Sequence, residues 1–491
     1  MKWKLQRVEY YVNKCNGPPI IFLLGNALEC IYSPKVLIKR VFDYAKQYES
    51  PLRGWLFHIP YVGIYTPEDI QMLTTKCLEK DSVFDFLGEL IGDGVLTTKV
   101  AKWRRSRRIM NSAFNMTVMS KPFLEVFNRQ SLVLIDQLKA EVNSKEYFDL
   151  WPYIFKSTFS NIIETAMGHT HGINEDDFTK MRKSYEVASE MICKRVYRPW
   201  LRPPFVFKLY LFLMGKKNVL NEFKQLPLKI LEARRQMFTE RKLLESSSEG
   251  KAEEKNDKSY KNVIDILLNQ AEAEDQFTNQ EIADEVTTIL FAGSETNAIT
   301  ISFTLFMLAI RQDIQEKVYN ELSEVFGEDD RLPTMEDLNQ LVYLEQCIKE
   351  TLRFVTVAPL SSRVSSEDIT LSSGHLIPAG VSIVAAYVLM HRDEKYYSNP
   401  SQWNPANFDA DKVASRPAGA FVPFGYGPRK CLGYKYAYLA IKTLLSTLLR
   451  NYKFSTDFRE EDVELTIDIL LRSATPYRVK VECRHKTSLF S

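Results

Sequence analysis

A ten-residue run near the C-terminus, Phe424-Gly425-Tyr426-Gly427-Pro428-Arg429-Lys430-Cys431-Leu432-Gly433, constrains the fold more tightly than any other feature. Gly425, Gly427 and Gly433 allow tight turns and leave room for a flat ligand against bare backbone. Behind the run, the apolar pairs Tyr436/Ala437, Ala440/Ile441, Leu444/Leu445 and Leu448/Leu449 recur every four residues, the spacing of a buried helix face. Cys431 is thereby placed at a helix N-terminus beside Arg429 and Lys430. The helix dipole and both cations are expected to lower its thiol pKa and favour thiolate. A lone cysteine on its own reads equally well as a small buried hydrophobe.

The run as a whole, F-x-x-G-x-R-x-C-x-G, resembles the haem-ligand loop of the cytochrome P-450 family. That resemblance implies a mainly α fold with small β-sheets (α+β) and a long central helix over a haem. It makes Cys431 the axial ligand of the haem iron and places Phe424, Gly425 and Arg429 around the cofactor. Other motifs follow in the family's order. Glu350-Thr351-Leu352-Arg353 puts a carboxylate and a guanidinium three apart on one helix face, able to pair. An exposed pair of this kind is common and contributes little; the family's pair is buried and supports the fold. The family's downstream P-x-R-F is here Pro405-Ala406-Asn407-Phe408, so Asn407 puts a neutral amide where a third charge is usual.

Trp103 and Arg107 resemble W-x-x-x-R, whose indole and guanidinium meet a haem propionate, with Arg104, Arg105 and Arg108 read as a solvated basic surface. Arg363 and Arg429 resemble two more propionate arginines. Ala292-Gly293-Ser294-Glu295-Thr296 resembles the oxygen-activation motif A-G-x-[DE]-T. A glycine there permits helix distortion and close approach of a small ligand, while Glu295 and Thr296 supply an acid and a hydroxyl for proton relay. The competing structural reading has Thr296 bonding a carbonyl of the preceding turn and Glu295 in a salt bridge. Asn297 stands where Thr or Ser is usual.

Composition narrows the partners. The 491 residues carry a net charge of only +2, which disfavours nucleic acid. Seven cysteines without a C-x-x-C pair argue against a disulfide framework or zinc module. His169 and His171 fall in a polar connector, and no dinucleotide or P-loop glycine pattern is present. Electrons therefore come from a partner: NADPH–cytochrome P-450 reductase by resemblance, with cytochrome b5 as a second donor.

Residues 1–16 read as the basic linker that follows a membrane anchor, and 17–491 as one monooxygenase domain. This implies the cytosolic face of the endoplasmic reticulum, with a mitochondrial transit peptide as the alternative. Val286 to Ile310 is apolar and long enough to span a bilayer, but Glu295 and Asn297 make it a buried helix instead. Glu245 to Tyr260 reads as a solvated loop. Trp200 to Met214, with Phe205, Phe207 and Phe212 beside Lys216 and Lys217, has the composition of an interfacial element over a substrate channel.

The branch resembled is the animal family-4 group, insect members nearest. Several of its fatty-acid ω-hydroxylases carry a glutamate that esterifies the haem where this chain has Ala292, so a non-covalent haem b is implied. The expected reaction is insertion of one oxygen atom of O2 into a lipophilic substrate: fatty acid, hydrocarbon, terpenoid or xenobiotic. A haem-thiolate isomerase or dehydratase, and a non-catalytic haem- or lipid-binding relative, share the same fold.

Overall fold

The computed structural model describes residues 2–114, 116–142, 144, 146–168, 175–247, 262–274, 277–327 and 329–484. His169, His171 and residues 248–260 of the expected loop lie outside them.

The N-terminal part contains α1 (Lys2–Val12), α2 (Pro34–Gln47), β1 (Leu52–Leu56), β2 (Ile59–Ile64), α3 (Pro67–Lys76) and α4 (Val83–Ile91). Residues 2–12, read from sequence as linker, are thus helical. Val12 and Cys15 are buried in the core, and Arg7 pairs with Asp368. Apolar side chains at one end of the segment give it a docking face that its basic composition concealed.

A helical body follows: α5 (Val100–Ala113), α6 (Met116–Leu138), α7 (Trp151–Ile162), α8 (Glu175–Tyr197), α9 (Pro204–Leu213), α10 (Val219–Ser247), α11 (Val263–Glu274), α12 (Asn279–Ile310), α13 (Gln312–Phe326), α14 (Met335–Gln340) and α15 (Val342–Phe354). The strand pair of β3 (Phe148–Asp149) lies within it. β4 (Leu360–Val364), β5 (Ile369–Thr370), β6 (Leu376–Ile377) and β7 (Ser382–Ala386) come next, then α16 (Tyr387–Met390) and α17 (Ala410–Ser415). The chain closes with α18 (Tyr434–Asn451), β8 (Tyr452–Ser455), β9 (Leu465–Ile467), β10 (Leu471–Ser473) and β11 (Arg478–Cys483).

Four strands form the largest sheet, in the order β1-β2-β7-β4, with β2 and β7 parallel and the other pairs antiparallel. A three-stranded sheet β3-β11-β8 and the hairpins β5-β6 and β9-β10 complete the β structure.

α12 organises the rest. A capping box, Thr278 with Glu281, starts it, a device that contributes about 1 kcal/mol. Among the described residues it is the one helix long and apolar enough to cross a membrane, yet it is buried inside the protein. Its apolar residues run all round because α7, α10, α15 and α18 enclose it. Gly293 permits a close approach of α7: a Cβ there would lie 2.5 Å from Cδ1 of Ile162. This glycine serves helix packing, where the sequence suggested room for a small ligand.

Candidate active site

Between residues 285 and 309 of α12, only Ala292, Gly293 and Thr296 keep appreciable accessible surface. Ala292 and Thr296 lie one turn apart, so the middle of an otherwise buried helix keeps a short open strip. Thr296 Oγ1 donates to Ala292 O at 2.7 Å, and Asn297 Nδ2 donates to Gly293 O at 2.7 Å. The hydroxyl proton of Thr296 is therefore engaged by its own helix, while its oxygen remains free to accept.

Glu295 points elsewhere. It is buried and accepts a hydrogen bond from the Tyr185 hydroxyl on α8. Among the described residues it has no salt-bridge partner; burial pushes its pKa up to about 8, which Arg472 opposes and Asp468 reinforces. Adjacent positions on a helix diverge by about 100°, so Glu295 and Thr296 serve different walls. The expected acid–hydroxyl pair is adjacent in sequence without touching.

The cysteine loop is held by Cys431 N–H donating to Phe424 O at 2.8 Å. Gly425 and Gly427 both have φ above +70°, and a Cβ on Gly427 would meet Thr74 O at 2.6 Å. Gly433 has an ordinary φ of −92° at the start of α18. Cys431 keeps accessible surface although protein surrounds it. Burial pushes its thiol pKa up, against the opposing Gly433 backbone N–H and Arg107.

The expected lowering by its neighbours is not found. Lys430 lies over the Tyr434 ring, and Arg429 turns to the Trp103 indole, 4.6 Å from the ring centroid, donating to Thr98 O at 3.0 Å. A cation bound directly to this sulfur would favour its thiolate.

Arg107, Arg363 and Arg429 converge although like charges repel. Burial lowers the pKa of each, Arg429 to about 10 with Arg363 and Arg107 as further causes. Lys80, which pairs through its backbone with Arg363, joins them; burial and both neighbouring arginines hold its ammonium well below the usual range. Arg363 spends Nη1 on Ser361 and Ser362, leaving Nε buried and unpartnered; Nε and Nη1 of Arg429 are likewise orphaned. Such donors are costly unless an anion meets them. A dianionic cofactor edge would fit the arginine donors present, and Cys431 would supply a sulfur ligand to its metal. Phe424 flanks the loop, half-buried against Tyr438. Arg104 and Arg108 are exposed, but Arg105 pairs with Glu281 and stacks on Phe277, tying α5 to the start of α12.

Behind the loop, Glu350 and Arg353 form a fully buried pair at 2.7 Å. Arg353 also donates to the carbonyls of His391, Pro400 and Gln402. Asn407 Nδ2 donates to Glu350 Oε1 at 3.2 Å. The third charge comes from Arg416, which sequence reasoning missed: its Nη2 donates to Asn407 O at 2.6 Å, and Glu350 supports its charge. His391, buried and neutral, joins Thr356 to the Val422 N–H just before the cysteine loop.

Residues 16–481 match the family profile described as Cytochrome P450. The protein named Cytochrome P450 4c3 of Drosophila melanogaster is 32% identical over 97% of this chain and 91% of its own length. Cytochrome P450 4c21 of Blattella germanica is 30% identical, over 96% and 94%. Human Cytochrome P450 4V2 is 30% identical, over 94% and 88%.

Proposed function

The chain belongs to the cytochrome P450 family of haem monooxygenases, and we propose that it inserts one oxygen atom of O2 into a lipophilic substrate with electrons from NADPH through a reductase. The observation carrying this reading is the group of orphaned arginine donors beside an accessible cysteine, in a chain whose central helix keeps Ala292, Gly293 and Thr296 accessible. Haem b, which would be held without a covalent link because Ala292 offers no carboxylate, would supply redox-active iron for oxygen chemistry.

In this reading Cys431 would ligate the haem iron, and Trp103, Arg107, Arg363 and Arg429 would hold the propionates. Thr296 accepts and positions a proton donor over the open strip, and Glu295 stores the proton. Phe424 and Gly425 shield the sulfur from water, while Glu350, Arg353 and Asn407 hold the loop from behind. The lipophilic class follows from the family, whose members act on fatty acids, hydrocarbons, terpenoids or xenobiotics.

The electron donors are NADPH–cytochrome P-450 reductase and cytochrome b5, at the cytosolic face of the endoplasmic reticulum. The exposed face of α9, with Phe205, Leu209, Phe212 and Leu213, supports attachment to lipid. The test is NADPH consumption by the purified protein with reductase and a panel of fatty acids and terpenoids. Substrate-dependent oxygenated product is expected; NADPH-independent rearrangement of an added lipid peroxide would overturn the reading.

A further inference from the structure

Glu295 and Tyr185 meet in a narrow cleft that lies on a different side of α12 from the open strip. α7 contributes only Trp151 and Phe155 to this cleft. α8 contributes Arg182, Tyr185, Glu186 and Ser189, and the β9-β10 hairpin contributes Asp468 and Arg472. The charges are paired within each element: Arg182 with Glu186 at 2.7 Å, and Arg472 Nε with Asp468 at 2.9 Å. Glu186 is exposed, so the mouth reaches solvent. Deeper in, Ser189 Oγ is buried without a hydrogen-bond partner. A cleft with a wet mouth and an unsatisfied hydroxyl is a place for water, which such groups recruit. Tyr477, beside the hairpin, completes the titratable groups that face Glu295.

Resting on the monooxygenase reading, we propose that Tyr185 is a positioning residue whose phenol latches Glu295 to α8, at the end of this cleft, and thereby governs proton supply to Thr296. The step balances simply. Glu295 in its acid form leaves the phenol and releases one proton on the Thr296 side; the carboxylate then returns and is reprotonated by water in the cleft. Solvent supplies one proton per excursion, and Tyr185 keeps its own.

The latch is polar and the packing around it is not. The Tyr185 ring lies 5.5 Å from Phe223 and 5.6 Å from Phe291, centroid to centroid. Tyr185→Phe therefore removes the hydrogen bond while keeping the core contacts.

The raised pKa of Glu295, about 8, agrees with storage as the neutral acid. A hydroxyl donor favours the carboxylate over the acid, so losing it moves that value further up.

Two readouts test the latch in the haem-loaded protein with purified reductase. In infrared difference spectra, a carboxyl band absent from Glu295→Gln is expected at the frequency of a hydrogen-bonded acid, moving to higher frequency in Tyr185→Phe. In substrate-free turnover, the share of NADPH equivalents released as hydrogen peroxide is expected to rise with pH about a midpoint near 8. That midpoint moves upward in Tyr185→Phe, and the rise is absent in Glu295→Gln, where the peroxide share is high throughout. An unshifted band together with an unmoved midpoint in Tyr185→Phe would overturn the proposal. Should Tyr185→Phe fail to hold haem, a wild-type band at the free-acid frequency would overturn it as well. Absence of thiolate-ligated haem from every variant, wild type included, would instead count against the monooxygenase reading.

Discussion

Asn407 reaches Glu350 with a single amide hydrogen bond, Nδ2 to Oε1 at 3.2 Å, while its own backbone carbonyl receives Arg416. Asn407 thus links the buried Glu350–Arg353 pair, through its side chain, to a cation nine residues further along that its backbone carbonyl holds, and the charge that Asn407 lacks is restored from outside the usual segment. The relay also stacks: Arg416 lies 4.0 Å from the Tyr397 ring centroid.

The relay sets an order of mutational cost. Asn407→Ala removes one hydrogen bond to a buried carboxylate and should destabilise the holoprotein by about 1–3 kcal/mol. Arg353→Ala strands a fully buried Glu350 and should cost roughly 3–5 kcal/mol. Arg416→Ala should exceed Asn407→Ala, since it removes both a charge and ring stacking. Denaturant midpoints of the three variants, followed by circular dichroism, check the ranking.

Haem retention should depend on the orphaned arginine donors. Arg429→Ala loses a charge-assisted bond worth about 1.5–3 kcal/mol, so haem should transfer to a haem acceptor protein roughly ten to a hundred times faster than from wild type. The Soret position of the retained fraction should not move, because Cys431 is untouched. Arg429→Lys should recover only part of the retention, since one ammonium cannot replace a planar fork.

Much of this site can be read from the sequence because its motifs are local. Gly425, Gly427 and Cys431 fall within one loop, and Glu350 and Arg353 within one helical turn, so spacing alone carries their geometry. What the sequence conceals depends on direction and distance. Burial outweighs the cations flanking Cys431, and Lys430 and Arg429 turn to aromatic rings instead. Gly293 faces Ile162, and Glu295 faces Tyr185, because the packing of α7 and α8 decides which side of α12 is open. Arg416 and Tyr185 stand 63 and 110 residues from Arg353 and Glu295 (416 − 353 and 295 − 185), beyond any local pattern. The helical docking of residues 2–12 was hidden in the same way, by partners far along the chain.

Proton delivery should fail selectively in Thr296→Ala. The hydroxyl on the open strip of α12 is lost, while Ala292 O merely loses a second hydrogen bond. NADPH should still be consumed, with a larger share of its electrons appearing as hydrogen peroxide; Thr296→Ser should stay near wild type. An unchanged product-to-NADPH ratio in the alanine variant would assign the work to Asn297.

Lipid attachment should separate two kinds of phenylalanine in one short helix. Phe205 and Phe212 are 77% and 63% exposed, whereas Phe207 is 2% exposed and lies under the Arg195 guanidinium. Phe207 is therefore core, contrary to its expected place at the interface. Phe205→Ser with Phe212→Ser should weaken co-sedimentation with phospholipid vesicles and keep the haem spectrum. Phe207→Ser should cost about 3–5 kcal/mol of stability, read as a lowered thermal midpoint.

The reduced-CO absorption spectrum of the purified, haem-loaded protein tests the central claim most directly, because only a sulfur donor to the iron red-shifts the band. Wild type should give the red-shifted band, with Cys431→Ala retaining haem through its arginines but losing that band. A red-shifted band that survives in Cys431→Ala, or that is missing from wild type, would contradict the assignment of Cys431 as the axial ligand.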